Sequence, residues 1–350
     1  MDALAPLAPA STRAVVEDSL GHLLRIIQPR GRFIYAHEAG NPGQVHEGYN
    51  MLRHCGTLWF MLRAINELGL KPTRVQQDAL TEAVAYAGRR MERPLWVITD
   101  GPCFALNAKG AVKLGGIGLA LVMLQEFQAL ARRDRLSPKG LPATLEETLR
   151  GLEAYALTQI EDGDFQHKRD FATGRLQDFH SDYYTGEVLL GLLRSPRLFP
   201  EANAVCERLM ARGYGIDVQS HWMAYAACEG VERGRLSRAP ALDYLHRLMT
   251  AIVGDENYRA RRESTPIACR TEALTRFLLL SRARAFQGAI DPALLDAVRA
   301  AAEENLQLQL DWYADGQFRK GDGSGRVQID YIQHNATAYL NWARWERQVA

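Results

Sequence analysis

Helical segments of two kinds alternate along this chain, and the alternation limits its possible folds more than any motif does. The first kind is amphipathic with a charged face, at about 12–27, 73–91, 142–160, 199–213, 238–252 and 291–308. Some of these carry start signals: Thr144 with Glu147 reads as a capping box, and Asp291 precedes Pro292. The second kind opens on polar or aromatic residues and then turns apolar on nearly every side: "YNMLRHCGTLWFMLRA", "KLGGIGLALVMLQEF", "DYYTGEVLLGLLR", "QSHWMAYAACE", "IACRTEALTRFLLL" and "DYIQHNATAYLNWA". A helix that is apolar all round must be buried on all sides, so these segments are expected inside and the amphipathic ones outside. Six outer and six inner helices in strict alternation are what an all-α (α/α)6 toroid requires, here as a single domain over residues 1–350.

Four of the connections from an outer to an inner helix carry a glycine followed closely by phenylalanine: "PRGRFIYAHEAG", "TDGPCFALNAKG", "EDGDFQHKRDFATG" and "ADGQFRKGDGSG". Asp-Gly supplies positive φ and the alternating residues after it can pair, so each connection reads as a turn with a short strand or hairpin. The competing architecture is an α-solenoid of helix pairs. It would use more uniform repeats, whereas these long connections all lie on one side of the helices, which favours the closed ring.

In such a ring the inner-helix N-termini and the loops before them face one mouth of a central funnel, where unpaired N–H groups favour electron-rich oxygens. The residues gathered there are Tyr49, Asn50, Arg53 and His54; Lys113; Asp182, Tyr183, Tyr184 and Glu187; His221 and Trp222; Arg270 and Glu272; and Asp330, Gln333, His334 and Asn335. Aromatic rings interleaved with carboxylates, amides and cations suit a sugar, whose faces stack on Tyr or Trp while its hydroxyls take hydrogen bonds. Each has a structural reading as well. Arg53, Glu187, Arg270 and Glu272 could form ion pairs tying neighbouring hairpins together, the histidines could be core or capping groups, and Asp330 could be an N-cap. Closure of the ring would bring Gln333, His334 and Asn335 beside Asn50, Arg53 and His54. The glycines of "KLGGIG", Gly115, Gly116 and Gly118, point to close helix packing or close approach of a ligand, since each weakens a helix. They lack the preceding strand and the spacing of a nucleotide loop.

The balance of 42 Lys and Arg against 41 Asp and Glu, with no basic block, argues against a nucleic-acid partner. The N-terminus lacks the cationic start and apolar core of a signal peptide, and no uninterrupted apolar run reaches membrane-spanning length, so a cytoplasmic, soluble protein is expected. The five cysteines are scattered and show no CxxC spacing. They read mostly as small apolar core residues, with no metal site and no cofactor expected.

With "YNMLRHCGTLW", "KLGGIGLAL", "DYYTGEVLLGLL" and "HWMAYAA" opening inner helices, the chain resembles, over its whole length, the six-hairpin glycosidase superfamily and related (α/α)6 toroids of bacterial polysaccharide metabolism. The resemblance implies a cleft at the inner-helix N-terminal end and a saccharide ligand, without singling out one activity. Glycoside hydrolysis needs one protonated and one ionised carboxyl. Glu187 and Glu272, in the first turns of their helices, are the leading candidates. Elimination or epimerisation of a uronate needs a base, an acid and a group that neutralises the carboxylate, for which His54 or His334, Tyr183 or Tyr184, and Arg53, Arg270, Asn50 or Asn335 qualify. Toroids that use Cys and His zinc ligands are a poorer match, with only the adjacent His54 and Cys55 to offer. A noncatalytic saccharide-binding toroid is the remaining alternative.

Overall fold

Apolar residues cover every face of the stretch 114–131, and the helix they form is buried along almost all of it. In the computed structural model, which describes residues 9–255 and 257–348, it is one of thirteen α-helices. They are α1 (Pro9–Arg25), α2 (Met51–Glu67), α3 (Arg74–Gly88), α4 (Leu114–Asp134), α5 (Leu145–Leu157), α6 (Tyr184–Leu193), α7 (Pro200–Ala211), α8 (His221–Glu232), α9 (Arg238–Val253), the single turn α10 (Asn257–Ala260), α11 (Ser264–Arg282), α12 (Pro292–Gln309) and α13 (Ile329–Arg347).

Helices α2, α4, α6, α8, α11 and α13 are the expected inner six. Each packs on the next, and α13 returns to α2, so the ring closes. Outside them lie α1, α3, α5, α7, α9 and α12. The fold is thus the (α/α)6 toroid, and the solenoid is excluded by the α13–α2 contact. By length and composition α4 is, among the described residues, the one helix apolar enough to cross a membrane; 83% of that stretch is buried, as an inner position requires.

The outer helices end where strands begin. The expected helix over 73–91 stops at Gly88 because Met91–Glu92 pairs as β3, and that over 142–160 stops at Leu157 because Ile160–Glu161 becomes β6. The capping boxes at Thr144–Glu147 and Thr73–Gln76 both form, and Asp291 caps α12 by accepting from the Ala293 N–H.

All sheets lie at the inner-helix N-terminal mouth. The first is built from β1 (Ala36–Glu38), β2 (Asn41–Val45) and β11 (Arg326–Gln328). It pairs Ala36 with Gln328 and so joins the first hairpin to the last across the closure seam. A second joins β3 to β4 (Ala105–Ala108), β5 (Ala111–Lys113) and β8 (Lys168–Asp170), linking the second and third hairpins. Two small hairpins pair β6 with β7 (Asp164–Phe165) and β9 (Tyr313–Ala314) with β10 (Gln317–Phe318). Asp162–Gly163 and Asp315–Gly316 turn these hairpins with positive φ at both positions, as type I′ turns demand. The second connection departs from this pattern: Gly101 does not take positive φ, and the chain turns instead at Lys109–Gly110.

At the opposite end, the C-termini of the inner helices are bound by charge around a cavity of about 270 Å³. Glu67 of α2 takes Arg63 and Arg344, at 3.1 and 3.0 Å. Arg194, just beyond α6, reaches Glu126 of α4 at 2.7 Å and Glu229 of α8 at 3.6 Å, and Arg276 of α11 pairs with Glu232 of α8. A ring of structural ion pairs therefore exists at the other mouth; of the four residues expected to form one at the sheet-covered mouth, Arg53 does tie neighbouring hairpins together, through Asp330 at 2.9 Å. Burial alone would raise the Glu229 carboxyl, yet Arg194 and Arg276 bring it down to about 2 from an ordinary 4.5. A carboxylate depressed in the folded state stabilises above its unfolded pKa and loses that contribution as pH falls. Stability in urea is therefore expected to drop by about 3 kcal/mol between about pH 4.5 and 2 from this group. Glu229→Gln should flatten that part of the pH profile; an unchanged profile would show that the belt does not contribute.

Candidate functional site

The polar inner-helix heads converge on a cavity of about 260 Å³ at the sheet-covered mouth. Asn50 and Arg53 of the first head line it, as do Tyr183, Tyr184 and Glu187 of the third, His221 and Trp222 of the fourth, and Asp330, Gln333 and His334 of the sixth. The fifth contributes Thr265 and Cys269, which the sequence reading missed. Cys269 lies one helical turn before Glu272, on the same face of α11, a spacing that could have drawn attention to it.

Across the closure seam the Arg53 Nε donates to Asp330 at 2.9 Å, and its Nη1 donates to the Tyr35 hydroxyl at 2.8 Å. Asp330 is not an N-cap: Gln328 holds that position and donates its amide to Asp330 at 2.6 Å. Asn50 does cap its helix, accepting from the Leu52 N–H at 2.9 Å.

His334 Nδ1 donates to Glu272 Oε1 at 2.7 Å, and the other oxygen of that fully buried carboxylate accepts from the Tyr225 hydroxyl at 2.9 Å. The Asn341 amide donates to Tyr225 at 2.8 Å, and Asn341 in turn accepts from Arg63 at 2.9 Å, so a polar chain runs from the cavity floor to the charged belt. Burial works against an imidazolium at His334, but Cys269 and Glu272 outweigh it and hold its pKa well above the ordinary value.

The ring of His221 stands 5.2 Å from that of His334, edge to face. Neither of its nitrogens has a hydrogen-bond partner among the described residues. Burial, with His334 and Arg270 nearby, pushes its pKa well below 6.5, so it stays neutral. Ser220 caps α8, and Gln219 before it takes φ +53, a left-handed conformation that turns the chain into the head carrying His221. Glu187 is buried as well, its Oε2 has no hydrogen-bond partner among the described residues, and burial raises the carboxyl to about 8 against the pull of His334. It is protonated at neutral pH.

Other candidates lie elsewhere. His54 is a structural residue: fully buried, it donates to the Ala83 carbonyl at 2.9 Å and accepts from the Tyr49 hydroxyl at 2.7 Å, which corrects its assignment as a catalytic base. Tyr49 is held by that bond and lines a neighbouring groove with Tyr35 and Tyr86. Asn335 is buried and donates to the Tyr331 carbonyl of its own helix, away from the cavity. Arg270 is anchored on Gln219 at 2.6 Å and lines an adjoining outer pocket of about 300 Å³. Asp182 is exposed beside His180, 3.8 Å away. Glu272 sits behind His334 instead of facing the cavity. Four of the cysteines are buried and free, as apolar core residues are; the fifth is Cys269.

Three solved structures share this fold along nearly the whole chain. A D-mannose isomerase superposes with a TM-score of 0.65 at 10% identity, covering 99% of this chain and 100% of its own. The cellobiose 2-epimerase of Spirochaeta thermophila gives 0.63 at 13% identity, with 98% of both chains covered. A family 76 α-mannanase from Bacteroides thetaiotaomicron gives 0.60 at 9% identity, with 97% of both covered. At these identities the likeness is one of fold: the three are helical toroids of the same plan as this chain. No protein-family model matches the chain, and no curated protein does either.

Proposed function

We propose that this protein is a carbohydrate-active enzyme that moves a proton at the carbon beside a sugar carbonyl, as a sugar epimerase or isomerase does. The observation that carries the reading is the pair His221 and His334, 5.2 Å apart on the cavity floor, one with both nitrogens unpartnered and the other backed by Glu272. Two such groups can act in sequence. His221 takes the proton from carbon, the carbonyl oxygen gains negative charge, and the Arg53 guanidinium on the same wall offsets it. His334 then returns a proton to the opposite face of the same carbon, giving the epimer. Where the neighbouring hydroxyl first passes its proton to the enolate oxygen, the proton from His334 goes to the former carbonyl carbon and gives the ketose, in both cases with no net redox change. Tyr183, 43% exposed at the rim, offers a face for the sugar ring. The mannose isomerase and cellobiose epimerase that share the fold support this class.

Hydrolysis of a short oligosaccharide is the second reading. It is favoured by Glu187, a protonated carboxyl with a free oxygen, and by Asp330 as a second carboxyl lining the same cavity. Incubation with mannose, glucose, cellobiose and mannobiose in deuterated water, followed by NMR, separates the two. Deuterium beside the carbonyl together with a new epimer or ketose is expected. New reducing ends without deuterium would overturn proton transfer in favour of hydrolysis, and no change in any sugar would favour a binding protein.

A further inference from the structure

Cys269 has no use in sugar chemistry, yet it faces the cavity beside two imidazoles. The ligand atoms of His221, Cys269, Glu272 and His334 all lie within 4.8 Å of one another. A tetrahedral zinc ion, with bonds of about 2.0–2.3 Å, holds its ligands roughly 3.3–3.8 Å apart, so side-chain shifts of about an ångström would close this set on an ion. A nitrogen–nitrogen–sulfur set is soft and selects zinc-class ions over calcium or magnesium. His221 is 2% exposed and has neither ring nitrogen partnered among the described residues, as expected of a ligand awaiting an ion. Glu272, bonded to His334 Nδ1, stands where the orienting carboxylate of a metal-bound histidine stands, leaving the other ring nitrogen for the ion.

We infer that the cavity floor binds one zinc-class divalent cation through His221, Cys269 and His334, with Glu272 orienting His334, and that the bound ion switches off the proton transfer proposed above. The second half rests on that proposal, because an imidazole whose lone pair is held by a metal cannot accept a proton. The ion and the reacting sugar therefore compete for the same two rings.

The test begins with chelator-treated protein titrated with cobalt(II) chloride and followed by absorption. One equivalent should produce the bands of a tetrahedral site together with a thiolate-to-cobalt transition, and zinc chloride should displace both. Cys269→Ser should lose the thiolate transition, and His221→Ala should weaken binding at least tenfold. Circular dichroism of both variants checks that they remain folded. Absence of the thiolate transition from the folded parent, or equally tight binding by Cys269→Ser, overturns the site. For the second half, the chelated protein should exchange sugar deuterium at full rate and lose that activity with one equivalent of zinc. A rate that is unchanged or higher with zinc bound overturns the switch. A chelated protein that exchanges no sugar proton, yet develops the full cobalt bands when titrated, overturns the proton-transfer reading and leaves the metal site standing.

Discussion

Replacing His334 with asparagine is expected to lower turnover of the active sugar by about 10²–10⁴-fold, the usual share of a positioned acid or base, while the protein stays folded. Asparagine keeps a polar group near Glu272, so the buried carboxylate retains a donor and the loss falls on proton transfer. His221→Asn should cost as much, because its neutral ring stands 5.2 Å from that of His334 and supplies the base of the proposed transfer. The double variant should be little worse than either single one if the two rings act as a unit, one removing a proton and the other supplying one in the same turnover. Glu187→Gln separates the readings: a loss of no more than about tenfold fits proton transfer between histidines, whereas a loss as large as that of His334→Asn makes Glu187 the acid and favours hydrolysis. Steady-state kinetics on the four variants, with circular dichroism as the folding control, gives the answer. Full activity in His334→Asn would remove it from the mechanism.

Periodicity carried the architecture because it is a local property. Which faces of 114–131 or 184–193 are apolar can be counted residue by residue, and burial follows. The same reasoning reached the mouth of the funnel, since heads of inner helices share one end of a ring whatever its exact geometry. It could not tell one histidine from another. His54, His221 and His334 occupy similar positions in their helices, but His54 turns outward to a carbonyl of α3, while the other two meet inside. That choice depends on neighbouring hairpins, which spacing along one helix does not encode. Glu272 was expected in a first turn, facing the funnel, but α11 begins at Ser264, which puts it in the third turn; its partner His334 is 62 residues away, and that pairing sets it behind the cavity wall. The charged belt escaped notice for a related reason. Arg63, Glu126 and Arg276 are single charges near the ends of helices that read as apolar, and only ring closure shows that they compensate one another.

Gly118→Ala is expected to destabilise the protein by about 3 kcal/mol or more, although alanine is the better helix former by about 1 kcal/mol. A Cβ at 118 would lie 2.3 Å from the carbonyl carbon of Glu187 and 2.5 Å from the Val188 nitrogen, backbone atoms that can move only if α4 and α6 separate. Gly186 repeats the arrangement one interface further on, where a Cβ would meet the Met223 nitrogen at 2.8 Å. Gly115 and Gly118 therefore let α4 and α6 approach closely and fix the depth at which Glu187 enters the cavity. Gly115→Ala acts differently, because its Cβ would meet the Glu187 Oε2 at 1.9 Å and the Tyr184 ring at 2.5 Å, side-chain atoms that can swing aside. Urea unfolding should show a much lower midpoint for Gly118→Ala and a smaller shift for Gly115→Ala, whose main effect should be on substrate binding through the displaced carboxyl. Equal midpoints for Gly118→Ala and the parent would mean that α4 and α6 are not held at this spacing, and the position of Glu187 would need another cause.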